Sequence, residues 1–429
     1  MSDEEKMTID EKRKYLRRRQ KQYHRAGRSE KGRLLDEMEE VTELHRKYLI
    51  ELLKGDLERK PRRKQRGRTY GPEVDDALRV IYESFDYICA ERLTPNLVWM
   101  AQHLARHGEL EISDAVIQKL GCISISTVGR ILNRIRQDTP RLPRKKPGRS
   151  RKWLHDIPMT RIPWDTATPG HFEVDLVHHC GPTASGEYMS TLQIIDVATG
   201  WSERVAVLGR SYLVMEHAFK TILRRLPFPV REFHPDNGSE FLNHHMLCFW
   251  SELVQGVQLS RSRPYHKNDN RYVEQKNSTL VRAFLGHDRF DSVAQTLATN
   301  RLYEMMWIYY NLFQPVMHLK EKQVIRQEGH PTRLLRRHDD ARTPFDRLCA
   351  ANCLLPEHRT SLEALRDQIN PRLLRQHIYD ALDVIFSLPC APPGKTQDVR
   401  QTLLPHHCSD NGQLSLLNFA FNRTTIGES

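Results

Sequence analysis

From Pro169 onward the apolar residues stop recurring every three or four positions and begin to alternate, and this change of period limits the fold more than any other feature. "GHFEVDLVHH" alternates Phe172, Val174 and Leu176. "EYMSTLQIIDVATGW" and "WSERVAVLG" read as a hairpin turning at Ala198–Gly200. A helix over 212–226 follows, then a short strand in "VREFHPDNG" that closes at Pro235–Asp236. A helix over 240–255, a short strand "VQLS" and a helix over 270–285 complete the order β-β-β-α-β-α-β-α. That order predicts a mixed sheet with helices on its faces. A further helix over 295–313 spaces Tyr303, Met306, Tyr310 and Phe313 for packing.

Upstream the period is helical. Residues 8–26 read as a charged helix. Residues 28–55 read as two helices, with Ser29 and Thr42 as caps and Gly55 as the stop. Leu34, Leu35 and Met38 would face Leu44, Tyr48 and Leu52, giving a first helix-turn-helix candidate with His45, Arg46 and Lys47 exposed. A second unit comprises helices over 74–90, from Thr94–Pro95 to Gly108, over "SDAVIQKLG" and over "ISISTVGRILNRIR". In the last of these Val128, Ile131, Leu132 and Ile135 share one face, and Thr127, Arg130, Asn133 and Arg134 the other. A short helix, a tight turn and a helix with a basic polar face suit duplex reading.

Charge sharpens that expectation. The chain nets +12, while "KPRRKQRGR" (60–68) nets +6 and "RIRQDTPRLPRKKPGRSRK" (134–152) nets +8, so the remainder nets −2. Basicity concentrated in two Pro- and Gly-containing connectors points to a polyanion, with Arg144, Lys145, Lys146 and Arg149 as phosphate contacts. The eight cysteines show no disulfide spacing, and neither His178-His179-Cys180 nor His406-His407-Cys408 has a partner pair at zinc spacing. The polar N-terminus lacks a signal-peptide core and no apolar run spans a bilayer, which predicts a cytoplasmic, nucleoid-associated protein with no membrane partner.

Three carboxylates stand out by position. Asp175 lies in the first strand, Asp236 ends the fourth, and Glu274 begins a later helix. Carboxylates at strand ends and on a helix can converge at a sheet edge, where hard oxygen donors suit two Mg²⁺ or Mn²⁺ ions and phosphodiester chemistry. Other readings stand beside this one. Asp236 could cap a turn, Glu274 could pair with Arg271, and Glu173 shares the strand face of Asp175.

"FEVDLVHHCG", "TLQIIDVATGW", "HPDNGSEF" and "SRPYHKNDNRYVEQKN" resemble the catalytic core of the retroviral integrase superfamily, as found in insertion-sequence transposases. The likeness covers residues 164–320 and is nearest to the ISNCY group. It rests on D-x-G-x-E-F around Asp236, N-x-x-x-E before Glu274 and 37 residues between the two carboxylates. The resemblance implies an RNase H-like α/β core around a five-stranded mixed sheet. It implies Asp175, Asp236 and Glu274 as metal-binding catalytic residues. Lys267, Arg271, Lys276 and Arg282 would lie along DNA beside them, with His266, Asn268 and Asn270 positioning DNA or a carboxylate.

The chain thus reads as multidomain. Helix-turn-helix units over 1–59 and 74–136 are joined by linkers over 60–73 and 137–163 to a core over 164–320. A mostly helical region over 321–390 and a tail over 391–429 follow. Short helices are expected near Thr343, Pro356 and Asn370, and "RLLRRHDDARTP" as a basic hairpin or loop. The expected activity is cleavage of element ends to free a 3′-OH and its transfer to a target duplex by a homo-oligomer on DNA. A structure-specific nuclease and a catalytically inactive DNA-binding relative are the rivals.

Overall fold

The computed structural model describes residues 7–58, 69–135, 168–182, 185–235, 258–260, 270–325, 333–392 and 397–403. Met1–Thr69 and Tyr70–Ser429 form two compact units.

In the first unit α1 (Ile9–Arg25) opens with a capping box between Thr8 and Glu11. α2 (Arg28–Thr42) and α3 (Arg46–Lys54) pack on it around Leu16, Leu34, Leu35, Met38, Leu49 and Leu53. The expected caps are displaced. Gly27 and His45 hold the N-cap positions, and Thr42 ends α2 by donating its hydroxyl to the Met38 carbonyl. Glu43 turns the chain in a left-handed conformation, so α3 begins later than its composition suggests. Its buried face is therefore Leu49 and Leu53, while Tyr48 is exposed.

The second unit begins with α4 (Pro72–Ser84) and α5 (Ala90–Leu93). A 3₁₀ turn (Thr94–Asn96) leads into α6 (Leu97–Arg106). Thr94 does not cap α6; its hydroxyl donates to the Ala90 carbonyl of the preceding turn. α7 (Asp114–Cys122) and α8 (Ile125–Arg134) are bent 114° from one another about Ile123–Ser124, within the range of helix-turn-helix pairs. Ser124 caps α8, and Val128 and Ile131 fill its buried face.

The sheet comprises β1 (His171–His178), β2 (Met189–Asp196), β3 (Ser202–Leu208) and β4 (Glu232–Pro235), with the two-residue β5 (Gln258–Leu259) on the edge of β4. Among the described residues the expected five-stranded sheet is a sheet of four longer strands, with β5 contributing one short pairing in the order β3-β2-β1-β4-β5. β1, β2 and β3 form an antiparallel meander, and β4 runs parallel to β1. Phe172, Val174, Leu192, Ile194, Val205 and Phe233 line one face, which α9 (Tyr212–Arg225) helps to cover. The opposite face holds Glu173, Asp175, Gln193 and Arg204, with Asp175, Gln193 and Arg204 in one cross-strand row.

That polar face is met by α10 (Arg271–Lys276), which continues as a π-helical turn (Asn277–Arg282) and a last turn (Ala283–Leu285). α11 (Val293–Ile308) packs along β3. After it, β6 (Leu319–Ile325) and β7 (Arg333–His338) form a separate antiparallel hairpin, the second alternative for "RLLRRHDDARTP" being excluded. α12 (Pro344–Ala350), α13 (Pro356–Gln368) and α14 (Pro371–Ser387) start where Thr343, Pro356 and Asn370 place them. These helices do not stand apart from α4–α8. Arg375 pairs with Asp86 at 3.1 Å, Arg372 with Glu83 and Glu109 at 2.9 and 3.1 Å, and His103 meets the Ile369 carbonyl at 2.8 Å. Part of the segment read as tail also has structure, since Val399–Thr402 form a 3₁₀ turn in contact with α11 and β3.

Candidate active site

Glu173 and Asp175 project from β1 toward α10. Glu173 is fully buried. Its Oε2 accepts the backbone N–H groups of Tyr272 and Val273 at 2.7 and 2.8 Å. These are unpaired donors of the first turn of α10, and the N-cap residue Asn270 does not bond them through its side chain. Glu173 therefore does the capping from across the sheet. Burial pushes its carboxyl up to about 8, against the pull of those two N–H groups. Oε2 of Glu173 is thus committed to two helix N–H groups.

Asp175 sits two residues further along. Its Oδ2 accepts from the Asn277 amide at 2.6 Å, and its Oδ1 from the Leu176 N–H at 2.8 Å. Asn277 lies three residues after Glu274, so the two side chains neighbour one another on the helix surface. Glu274 is exposed, and its charge is felt by Glu173. β1 thus grips α10 twice, at Glu173–Tyr272/Val273 and at Asp175–Asn277, and Glu274 lies between the grips. Asp236 lies outside the described residues, as do Lys267, His266 and Asn268. Among the described residues no group of three or more His, Cys, Asp or Glu side chains could hold a metal ion.

Of the basic residues expected beside Glu274, three are described. Lys276 is half-buried, and burial with the nearby Arg204 and Arg92 charges lowers its ammonium to about 7. Arg282 turns inward and donates to the His178 and Gly286 carbonyls at 2.8 and 3.2 Å. Arg271 packs its guanidinium on the Tyr272 ring at 4.7 Å, and Asn270 is buried.

On α8, Arg130, Asn133 and Arg134 are exposed. Arg130 donates to Thr127 and Ser126 within its own helix, and Arg134 forks onto both Asp75 oxygens at 2.6 and 2.7 Å. Arg144, Lys145, Lys146 and Arg149, and nearly all of both basic connectors, lie outside the described residues.

The residues that sequence reading missed are Asn277 and Arg204. Asn277 carries a local signal, three residues after Glu274. Arg204 carries none, since its place beside Gln193 and Asp175 depends on strand register.

No family model matches the chain. It is 37% identical over 301 residues to an uncharacterised Sinorhizobium fredii protein, y4rM, across 70% of this chain and 85% of that one. Among solved structures it is similar to the catalytic core domain of BIV integrase, at 17% identity and a TM-score of 0.24, covering 34% of this chain and 85% of that chain. It is also similar to a chain of a simian T-cell lymphotropic virus intasome in complex with PP2A regulatory subunit B56 gamma, at 12% identity and a TM-score of 0.30, covering 50% and 70%. At such scores neither structural likeness bears on fold or activity.

Proposed function

We propose, for a chain that belongs to the family of the Sinorhizobium fredii protein y4rM, that it is a DNA transposase: it cleaves the ends of a mobile element and joins the freed 3′-OH to target DNA. The observation that carries this reading is the double grip of β1 on α10, in which Asp175 holds Asn277, three residues after Glu274. The element order and the motif "HPDNGSEF" around Asp236 support it as well.

Asp175, Asp236 and Glu274 offer hard carboxylate oxygens, the donor set that fits Mg²⁺ or Mn²⁺. Two such ions, when bound, activate an attacking oxygen and stabilise the leaving one. The remaining roles belong to the chain. Asn277 orients the Asp175 carboxylate, and Glu173 fixes the start of α10. α8 offers Arg130 and Asn133 for reading element ends. No covalent protein–DNA intermediate is required, so no Ser or Tyr nucleophile is assigned. An assembly holding two ends requires at least two protomers.

The test incubates the protein with Mg²⁺, a pre-cleaved end bearing a 3′-OH and a supercoiled plasmid. Plasmid linked covalently to the labelled end supports a transposase, and cleavage without joining favours the nuclease. Asp175→Ala, Asp236→Ala and Glu274→Ala should each abolish cleavage and joining, a loss of at least roughly a thousandfold, while DNA affinity stays within about twofold. Full activity in any of them would remove that residue from the site.

A further inference from the structure

A two-stranded ribbon in water is marginal without a layer to cover it. The hairpin β6–β7 is nonetheless exposed along Lys320, Glu321, Gln323 and Val324 on one strand and Arg336, Arg337 and His338 on the other. Its strands carry five Lys or Arg against one Glu. Among the described residues Lys320 and Arg336 make no ion pair or hydrogen bond, and the Arg337–Glu321 contact is a loose 3.8 Å pair at the surface.

The root of the ribbon is pinned. Val316 and Arg342 exchange backbone hydrogen bonds at 2.8 and 3.2 Å. The His318 N–H donates to Asp339 at 2.7 Å, and Arg347 holds Asp339 and the Val316 carbonyl at 2.7 and 3.0 Å. The root also adjoins the candidate site, since the His318 ring lies 6.3 Å from that of Tyr272, in the first turn of α10. A basic ribbon therefore projects from a fixed base beside the helix that carries Glu274.

We propose that β6–β7 is a DNA-gripping arm whose Lys320, Arg336 and Arg337 contact the phosphates of a duplex presented to the candidate site. Charge complementarity selects the occupant, and shape agrees with it, because a two-stranded ribbon fits the major groove, about 12 Å wide. The inference rests on the transposase reading for its choice of duplex DNA, and the experiment separates the two.

Full-length protein and the K320E/R336E/R337E variant are titrated onto a fluorescent duplex of roughly 30 base pairs across a salt series. Thermal melts of both, and the milder K320Q/R336Q/R337Q variant, guard against misfolding. The expected result is at least a tenfold loss of affinity near 0.1 M salt, with the slope of log affinity on log salt shallower by about 2–3 and unchanged melts. An environment-sensitive dye on Val324→Cys should respond to added duplex. Variants with wild-type affinity and slope would overturn the arm while leaving the transposase reading intact. Wild-type protein that binds no duplex would overturn both. A dye response to protein concentration alone would mean that a second copy of the chain covers the ribbon, and would likewise overturn it.

Discussion

His179 shows at the scale of one residue what burial does to chemistry. It lies between His178 and Cys180, where the sequence offers no partner pair at zinc spacing, and its ring is buried against Phe290 with its Nε2 meeting the Thr191 hydroxyl at 2.9 Å. Burial, reinforced by Arg282, drives its imidazole down to about 3. The unfolded chain protonates this histidine near 6.5, whereas the native state does not until about 3. The stability His179 contributes is therefore complete above pH 6.5 and is lost as pH falls toward 3. At pH 5 the loss is about 2 kcal/mol, from roughly 1.4 kcal/mol per pH unit. Urea unfolding from pH 7 to 5 should show that slope in the wild type and a flatter one in His179→Gln. Equal slopes would mean that His179 is not the group responsible.

Edges and caps govern the elements. β3 is an outer strand, and α11 together with the π-helical turn that continues it (Tyr309–Phe313) closes it with side-chain amides. Asn300 exchanges hydrogen bonds with the backbone N–H and carbonyl of Ala206 at 2.8 and 2.9 Å, and Asn311 does the same with Ser202 at 3.0 Å each. Each amide mimics the strand that is missing, which removes an edge other chains could pair with. Asn300→Ala would leave two buried backbone groups unpaired, at about 1–3 kcal/mol each. Its unfolding free energy should fall by about 2–6 kcal/mol, with Asn300→Asp intermediate; a loss under roughly 0.5 kcal/mol would show that water satisfies Ala206 instead. Legibility divides along the same line. The starts of α12, α13 and α14 could be read because Thr343, Pro356 and Asn370 act within their own first turns. Asp175 and Glu274 stood out because the strand period put one within the first strand and the helix period put the other in a first helical turn. The Glu173 cap, the Asn300 clamp and the inward turn of Lys276 and Arg282 could not be read, because each depends on which element lies opposite. The one-residue shift in the buried face of α3 came from the left-handed Glu43, a turn its sequence does not announce.

The whole molecule divides where charge suggested, but only once among the described residues. Residues 1–69 have their own core and make a unit of three helices. The second helical region does not. Tyr309 donates to the Ser84 carbonyl at 2.7 Å and Gln314 to that of Phe85 at 2.8 Å, while Arg372 and Arg375 tie Glu83, Glu109 and Asp86 to α14. Leu78, Ile81, Met100 and Leu104 belong to the same buried cluster as the sheet and the C-terminal helices. A fragment of residues 70–152 would expose that face and leave Asp86, Glu83 and Glu109 without their arginines. It should therefore show weak, non-cooperative unfolding and rapid proteolysis, whereas a fragment of residues 1–69 should unfold cooperatively, if with only a few kcal/mol in hand for its size. The full chain should unfold in two steps, the larger denaturant slope belonging to residues 70–429, since slope follows surface exposed. A single transition by both circular dichroism and tryptophan fluorescence would overturn this division, as would a stable 70–152 fragment. The division also bears on the proposed function: α8 is held by the unit that carries Asp175 and Glu274, so on that reading a duplex read by Arg130 and Asn133 would be registered against the candidate site through packed helices rather than through a free linker.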